Sequence, residues 1–240
     1  MNSFEIVASS TESTVVAEYT PEKRKSTDYQ SEAELENDFI NRLEDQGYKY
    51  ITIKNEQDLI DNLRKQLEKL NNYTFLDKEW NDFYSSVISN GNDGIIEKTR
   101  KIQEEHIQNL IMDNGYVKNI KLIDKTNIHN NYLQVINQYE EDEGKHGTRY
   151  DVTILVNGLP LVHIELKKRG NSIREAFNQI NRYQRDSFWA GSGLFQFVQL
   201  FVISNGTHTK YYSNTTRFQH IKDNAEKNVA KKKKTSNSFE

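Results

Sequence analysis

Apolar residues along this chain recur first at helical and then at strand spacing, and each pattern predicts its own elements. In the first half they return every three or four positions: Leu35, Phe39, Ile40 and Leu43, then Leu59, Ile60, Leu63, Leu67 and Leu70. Such stripes belong to amphipathic helices packed on one face. The first helix is expected to start at Ser31, whose hydroxyl caps it with Glu34 in capping-box position, and to end at Gly47. A second is expected over Gln57 to Leu70, a third over Lys78 to Ile88, and a fourth over Ile95 to Met112 with Gly115 as its stop. Beyond Gly115 the texture is β, with Val117 to Ile123 and Tyr132 to Tyr139 rich in Val, Ile and Tyr. Farther on, Asn171 or Ser172 caps an expected helix to about Arg185, with Ile173, Ala176, Phe177 and Ile180 toward a sheet. Phe195 to Ser204 reads as a buried central strand, and Asn205-Gly206 turns the chain into His208 to Ser213.

The most informative stretch is Arg149 to Gly170, RYDVTILVNGLPLVHIELKKRG, two strand-like runs divided at Asn157-Gly158. Alternation places Val152, Ile154, Val156, Val162, Ile164 and Leu166 on one face, expected to be the core face. The other face carries Asp151, Thr153, His163, Glu165 and Lys167, with Leu155 and Leu161 near the turn. Register decides whether the two acids meet. A plain two-residue turn would set Asp151 opposite Ile164 and send the acids to opposite faces. A three-residue loop, or a two-residue turn plus one bulge, pairs Asp151 with Glu165 and Thr153 with His163. Burial of the apolar set, at roughly 1.5 to 3 kcal/mol per aliphatic side chain, favours the second register.

An Asp, a Glu and a Lys on one face can hold a hard cation and activate water. Mg2+ takes oxygen ligands and keeps several waters, so Asp151, Glu165 and the Leu166 carbonyl are candidate ligands. Lys167 is positioned in sequence to assist a nucleophile or stabilise charge on a phosphoryl group. The residues alone leave open a surface hairpin with a merely solvated charged face, because short motifs match often.

The Asp, thirteen residues and Glu-x-Lys resemble the PD-(D/E)xK nuclease superfamily. The wider text, from DVTILVNGLPLVHIELKKRG through IREAFNQINRYQRDSF to LFVISNGTHTKYY, resembles the N-terminal endonuclease domain of the R subunit of type I restriction-modification enzymes. The likeness is close over residues 147 to 213 and looser back through QSEAELENDFINRLEDQGYKY. Tyr150 stands where a Pro often precedes the Asp in the superfamily. The resemblance implies an α/β fold, a central mixed sheet flanked by helices, and Mg2+-dependent cleavage of double-stranded DNA. It implies catalytic roles for Asp151, Glu165 and Lys167, a further acidic ligand at Glu36 on the first helix, and DNA engagement by Gln179 and Tyr183, which lie four apart on one helix face. It also implies an ATP-driven translocase beyond residue 240, with methyltransferase and specificity subunits as partners. ATP would act only through those missing motor domains, since no GxxxxGK[ST] occurs here. A nuclease-fold DNA-binding or docking module without chemistry, or a free-standing repair or resolvase-type nuclease, are the alternatives.

Composition narrows the remaining choices. Absence of cysteine excludes disulfides, thiolate catalysis and Cys-based zinc sites, so His163-x-Glu165 is not half of a zinc-deaminase signature. No apolar run is long enough to span a bilayer, and no signal peptide is recognisable, so a cytoplasmic protein is expected. The net charge of −3 argues against holding DNA by bulk charge, and DNA grip then falls to a local patch or a partner. Residues 1–30 are expected to form a flexible lead-in with one strand at Phe4 to Ala8, residues 31–213 the nuclease domain, and residues 214–240 a basic flexible tail or linker. The acidic stretch EEDEGKHGT is expected to be a solvated loop.

Overall fold

The computed structural model describes residues 3–9, 15–20, 31–141, 148–171, 180 and 193–214. Its elements in order are β1 (Ser3–Ser9), β2 (Val15–Thr20), α1 (Glu32–Asp45), β3 (Lys49–Tyr50), α2 (Glu56–Asn71), α3 (Asp77–Phe83), α4 (Ile95–Gln103), β4 (Ile107–Ile111), β5 (Val117–Lys121), β6 (Leu133–Glu141), β7 (Thr148–Val156), β8 (Leu159–Leu166), β9 (Leu200–Ser204) and β10 (Thr209–Ser213). Eight strands form one mixed sheet in the order β1-β2-β10-β9-β8-β7-β6-β3, and β4 with β5 makes a separate hairpin. Within the large sheet β8–β9 and β3–β6 are parallel. A parallel neighbour demands a crossover, and the chain between β8 and β9 supplies it, with the buried helical residue Ile180 on the way.

Local chemistry accounts for the first helix. The Glu34 amide donates to Ser31 Oγ at 3.2 Å and the Ser31 amide donates to Glu34 Oε2 at 2.7 Å, a reciprocal capping box. Ile40 and Leu43 then pack with Val135, Val152, Ile164 and Leu166 into a small core on one side of the sheet. On the other side α2 presents Leu59, Leu63 and Leu67, all essentially fully buried, to a larger core that includes Ile136, Leu155, Leu161, Phe201 and Ile203. The sheet is therefore covered on both faces. The expectation that Val152, Ile154, Val156, Val162, Ile164 and Leu166 form the principal core face is corrected: Ile154, Val156 and Val162 are only half-buried, and the polar-bearing face lies under the larger core.

Three further expectations are revised. The helix from Ile95 stops at Gln103, and Ile107–Ile111 pairs antiparallel with Val117–Lys121 instead of continuing to Met112. Asp113-Asn114-Gly115 is the hairpin turn, with the Gly115 amide donating to the Met112 carbonyl at 2.8 Å. Leu194–Phe197 is a 3-10 turn, so the strand expected from Phe195 begins only at Leu200. In the lead-in, two strands form rather than one: β1 pairs with β2, which joins β10 through Thr209 opposite Tyr19 and Lys210 opposite Glu18.

Candidate active site

The hairpin of β7 and β8 sets the geometry. Asn157 and Gly158 have φ of 52° and 84°, the double positive φ of a type I′ turn. Val156 pairs with Leu159 and Leu155 with Pro160, after which the register shifts and Ile154 pairs with Val162, leaving Leu161 as the bulge. Thr153 pairs with His163 and Val152 with Ile164, where the ladder ends, one step before Asp151 on β7 and Glu165 on β8. The turn is buried: Asn157 Nδ2 donates to the Leu122 carbonyl at 3.0 Å and to Asn131 Oδ1 at 2.8 Å, and its Oδ1 accepts from the Tyr132 amide at 2.8 Å. The structure thus adopts the turn-plus-bulge register that the hydrophobic pattern favours.

Around this register the charged side chains converge. The Leu166 amide donates to Asp151 Oδ2 at 2.9 Å, and the Asp151 carboxyl lies close enough to Glu165 to feel its charge. Lys167 Nζ lies 3.2 Å from Glu165 Oε1. Glu165 is 0% exposed, and its Oε2 is buried with no hydrogen-bond partner among the described residues. His163 Nε2 stands 3.6 Å from that oxygen, and its Nδ1 is 3.4 Å from Thr153 Oγ1. Burial pulls the imidazole down to about 4 against the nearby Asp151 charge, so the His163–Glu165 contact is between a neutral ring and a carboxyl rather than an ion pair. The Tyr150 ring packs edge-on to His163, with centroids 5.3 Å apart, closing the wall from behind.

Electrostatics make the pair receptive to a cation. Burial pushes the Asp151 carboxyl up to about 7, helped by the Glu165 charge and opposed by the Leu166 amide and Lys167. Burial likewise pushes Glu165 up to about 7, against Lys167 and the hydrogen bonds it receives. Two carboxyls this close titrate as a pair. The donor set fits a hard divalent ion: two buried carboxyls, one oxygen of which makes no hydrogen bond, with water able to complete the shell. Leu166 contributes its amide to Asp151, and its carbonyl remains a proposed ligand.

This titration has a consequence for stability. With folded values above those of unfolded carboxylates, protonation of the pair stabilises the metal-free fold fully below about pH 4, and that contribution is lost as pH rises through about 7. The melting temperature in chelator is therefore expected to fall between about pH 5 and about pH 8, and Asp151→Asn should flatten that fall and raise the value at the upper end. An unchanged slope in the variant would show that the pair does not titrate in this range.

The remaining expected site residues separate. Glu36 lies on α1, 7% exposed, with the Asp151 charge near enough to raise its carboxyl in addition to burial. Its Oε1 accepts from Asn137 Nδ2 and its Oε2 from Gln138 Nε2, both at 2.5 Å. Among the described residues no three His, Cys, Asp or Glu gather as a metal site, and Glu36 is linked to Asp151 through the charge that acts on it. Gln179, Tyr183, the acidic stretch 142–147 and the basic tail 215–240 lie outside the described residues. Glu32, not singled out from the sequence, accepts from the Lys168 amide at 3.0 Å and ties α1 to the end of β8. A cleft of about 620 Å³ lies elsewhere, between α3 and the β4–β5 hairpin. Its buried carboxylate, Glu79, is saturated by Tyr73 Oη, the Leu76 amide and the Asp113 amide, so the reactive groups point to the Asp151 cluster instead. No helix among the described residues is long and apolar enough to cross a membrane.

Comparison with known proteins gives a consistent set of relatives. Residues 29–220 match the family described as Type I restriction enzyme R protein N terminus (HSDR_N). The chain is 48% identical over 212 residues to the type I restriction enzyme EcoprrI endonuclease subunit of Escherichia coli, covering 88% of this chain and 67% of that protein. It is 42% identical over 191 residues to the SsaAORF53P endonuclease subunit of Staphylococcus saprophyticus, and 38% identical over 191 residues to the SauMSSORF170P endonuclease subunit of Staphylococcus aureus. Each staphylococcal match covers 78% of this chain but only 20% of the relative, so the chain spans a minor part of those longer proteins.

Proposed function

The chain belongs to the type I restriction enzyme R protein N-terminus family, and from that premise we propose that it is a metal-dependent endonuclease domain hydrolysing phosphodiester bonds of double-stranded DNA. The observation that carries this reading is the convergence of Asp151, Glu165 and Lys167 on one end of the β7–β8 hairpin, with Glu165 fully buried, Lys167 Nζ beside it and Asp151 held by the Leu166 amide. Asp151 and Glu165 would hold Mg2+, with the Leu166 carbonyl as a further ligand. The bound ion supplies charge neutralisation at the phosphoryl group and a water of lowered pKa. Lys167 keeps a cationic donor beside Glu165 and meets charge that develops on the phosphate or nucleophile.

On this reading the chain would form the front of an R subunit, with an ATP-driven translocase farther along and methyltransferase and specificity subunits as partners. Target choice would then rest with the partner, and Gln179 and Tyr183 would engage DNA near the cut. A plasmid-nicking assay of the assembled enzyme with Mg2+ tests the reading against a Glu165→Ala control. Product should vanish in the variant while DNA binding persists; equal nicking by both would exclude the role given to Glu165.

With a net charge of −3, the isolated 240-residue chain has little bulk attraction for DNA. Its affinity for duplex DNA is expected to be no tighter than about 10⁻⁶ M at physiological salt, and its cutting poor or absent. Nanomolar binding in a gel-shift titration would overturn this expectation.

A further inference from the structure

Gln138 occupies a place in β6 that its residue type does not ordinarily take. Its φ is 52°, in the left-handed region. The other non-glycine residues with positive φ among those described are Asn72, at the end of α2, and Asn157, in the hairpin turn. Both are asparagines where a left-handed residue is expected. Gln138 sits mid-strand, where such a conformation costs on the order of 1 to 3 kcal/mol and persists only if its surroundings enforce it.

The enforcement and its effect are both visible. In an ordinary strand, neighbouring side chains point to opposite faces. Here the twist at Gln138 brings its amide and that of Asn137 onto the two oxygens of one carboxylate, Glu36, each at 2.5 Å. Tyr50 Oη holds the far side of Asn137 by donating to its Oδ1 at 2.8 Å. Across the ladder, β6 and β7 pair on either side of the twist, Asn137 with Val152 and Tyr139 with Tyr150, and the skipped step is Gln138 with Asp151. The β7–β8 ladder also ends at Val152 with Ile164, one residue short of Asp151. Asp151 thus sits where both neighbouring ladders release the strand, and its side chain takes the Leu166 amide.

We propose that Gln138 is a positioning residue for the cation site, its left-handed backbone, clamped by Glu36, freeing Asp151 from the β6 ladder so that its carboxyl meets Glu165. The inference rests on the metal-site reading above and adds to it a residue outside the proposed ligand set, whose amide is bonded to Glu36. Partners that orient a metal ligand typically affect affinity by about 10- to 100-fold. Gln138→Gly keeps the backbone permissive and removes the clamp. Gln138→Val strongly disfavours the left-handed state and regularises the strand.

The test is calorimetric titration of the whole 240-residue chain with Mn2+ and with Mg2+, paired with thermal unfolding in chelator. Both variants should melt close to the wild-type temperature, because relief of strain and loss of the hydrogen bond to the buried Glu36 oppose each other, while Mn2+ affinity falls about 10-fold or more, with valine the weaker binder. Wild-type affinity in both variants overturns the positioning role and leaves the metal site standing. Absence of binding in the wild type, with Asp151→Asn indistinguishable from it, overturns the metal site and the positioning role together. A fall in affinity only in proportion to a fall in melting temperature assigns Gln138 a structural role and also overturns the proposal.

Discussion

Changing Asp151, Glu165 or Lys167 to alanine is expected to abolish DNA cleavage by the assembled enzyme, by a factor on the order of 10³ or more, while ATP hydrolysis continues. The three side chains form one cluster around the buried Glu165: the Asp151 carboxyl feels its charge, and Lys167 Nζ is 3.2 Å from it. Loss of a carboxyl removes one of the two proposed ligands and leaves the other paired with Lys167 alone, a neutral pair with little attraction for a divalent ion. Loss of Lys167 leaves the buried Glu165 without its cation, so metal affinity and transition-state charge both suffer. The motor proposed to lie elsewhere in the subunit uses none of these groups, which is why its turnover should persist. Cleavage at wild-type rates in any of the three variants would contradict the assignment. Parallel measurement of ATP hydrolysis separates loss of chemistry from failure to assemble.

Gly158→Val is expected to prevent stable folding, at a cost on the order of 4 kcal/mol or more. The turn residue has φ of 84°, and a Cβ there would lie 2.6 Å from Leu63 Cα and 3.1 Å from Leu63 N. Those are backbone atoms of the helix that anchors the larger core, so relief requires the hairpin to lift from α2. Gly158→Ala should be milder but still costly, since strain and clash add. The effect reaches function because the same turn fixes the register that brings Asp151 to Glu165. Chemical denaturation reads it out directly, and a wild-type midpoint for Gly158→Ala would show that the approach to Leu63 is not tight.

What the sequence revealed followed the range of the interactions involved. The α1 capping box is a contact over three residues, and Ser31 and Glu34 announce it. The β7–β8 register was legible because parity and the Asn157-Gly158 turn constrain each other, and only a bulge reconciles them. Ile107–Ile111 was read as helix because Leu110 continues the helical spacing, whereas Asp113-Asn114-Gly115 is the stronger local signal and the strand pairs across it. The strand expected at Phe4 to Ala8 is present as β1, whereas β2 is not marked by the sequence pattern; it pairs with β1 and with β10, some 190 residues away, a pairing that no local pattern encodes. Phe195 to Phe197 is apolar and strand-like in composition but turns before β9, since burial alone does not distinguish a tight turn from a strand. Gln138 was invisible because glutamine advertises neither a turn nor positive φ; its conformation is imposed by Glu36 from another element. The buried state of His163 and Glu165 was also missed, because alternation marks a second face but not what covers it.

The central claim is that Asp151 and Glu165 form one divalent-cation site, and locating the ion tests it most directly. Crystals of the chain soaked in Mn2+ should give an anomalous peak bonded to a carboxyl oxygen of each residue, at distances normal for a hard ion and oxygen, roughly 2.0 to 2.4 Å. The peak should be absent from Asp151→Asn crystals treated in the same way. A wild-type peak at another place, or none at millimolar Mn2+, would contradict the account.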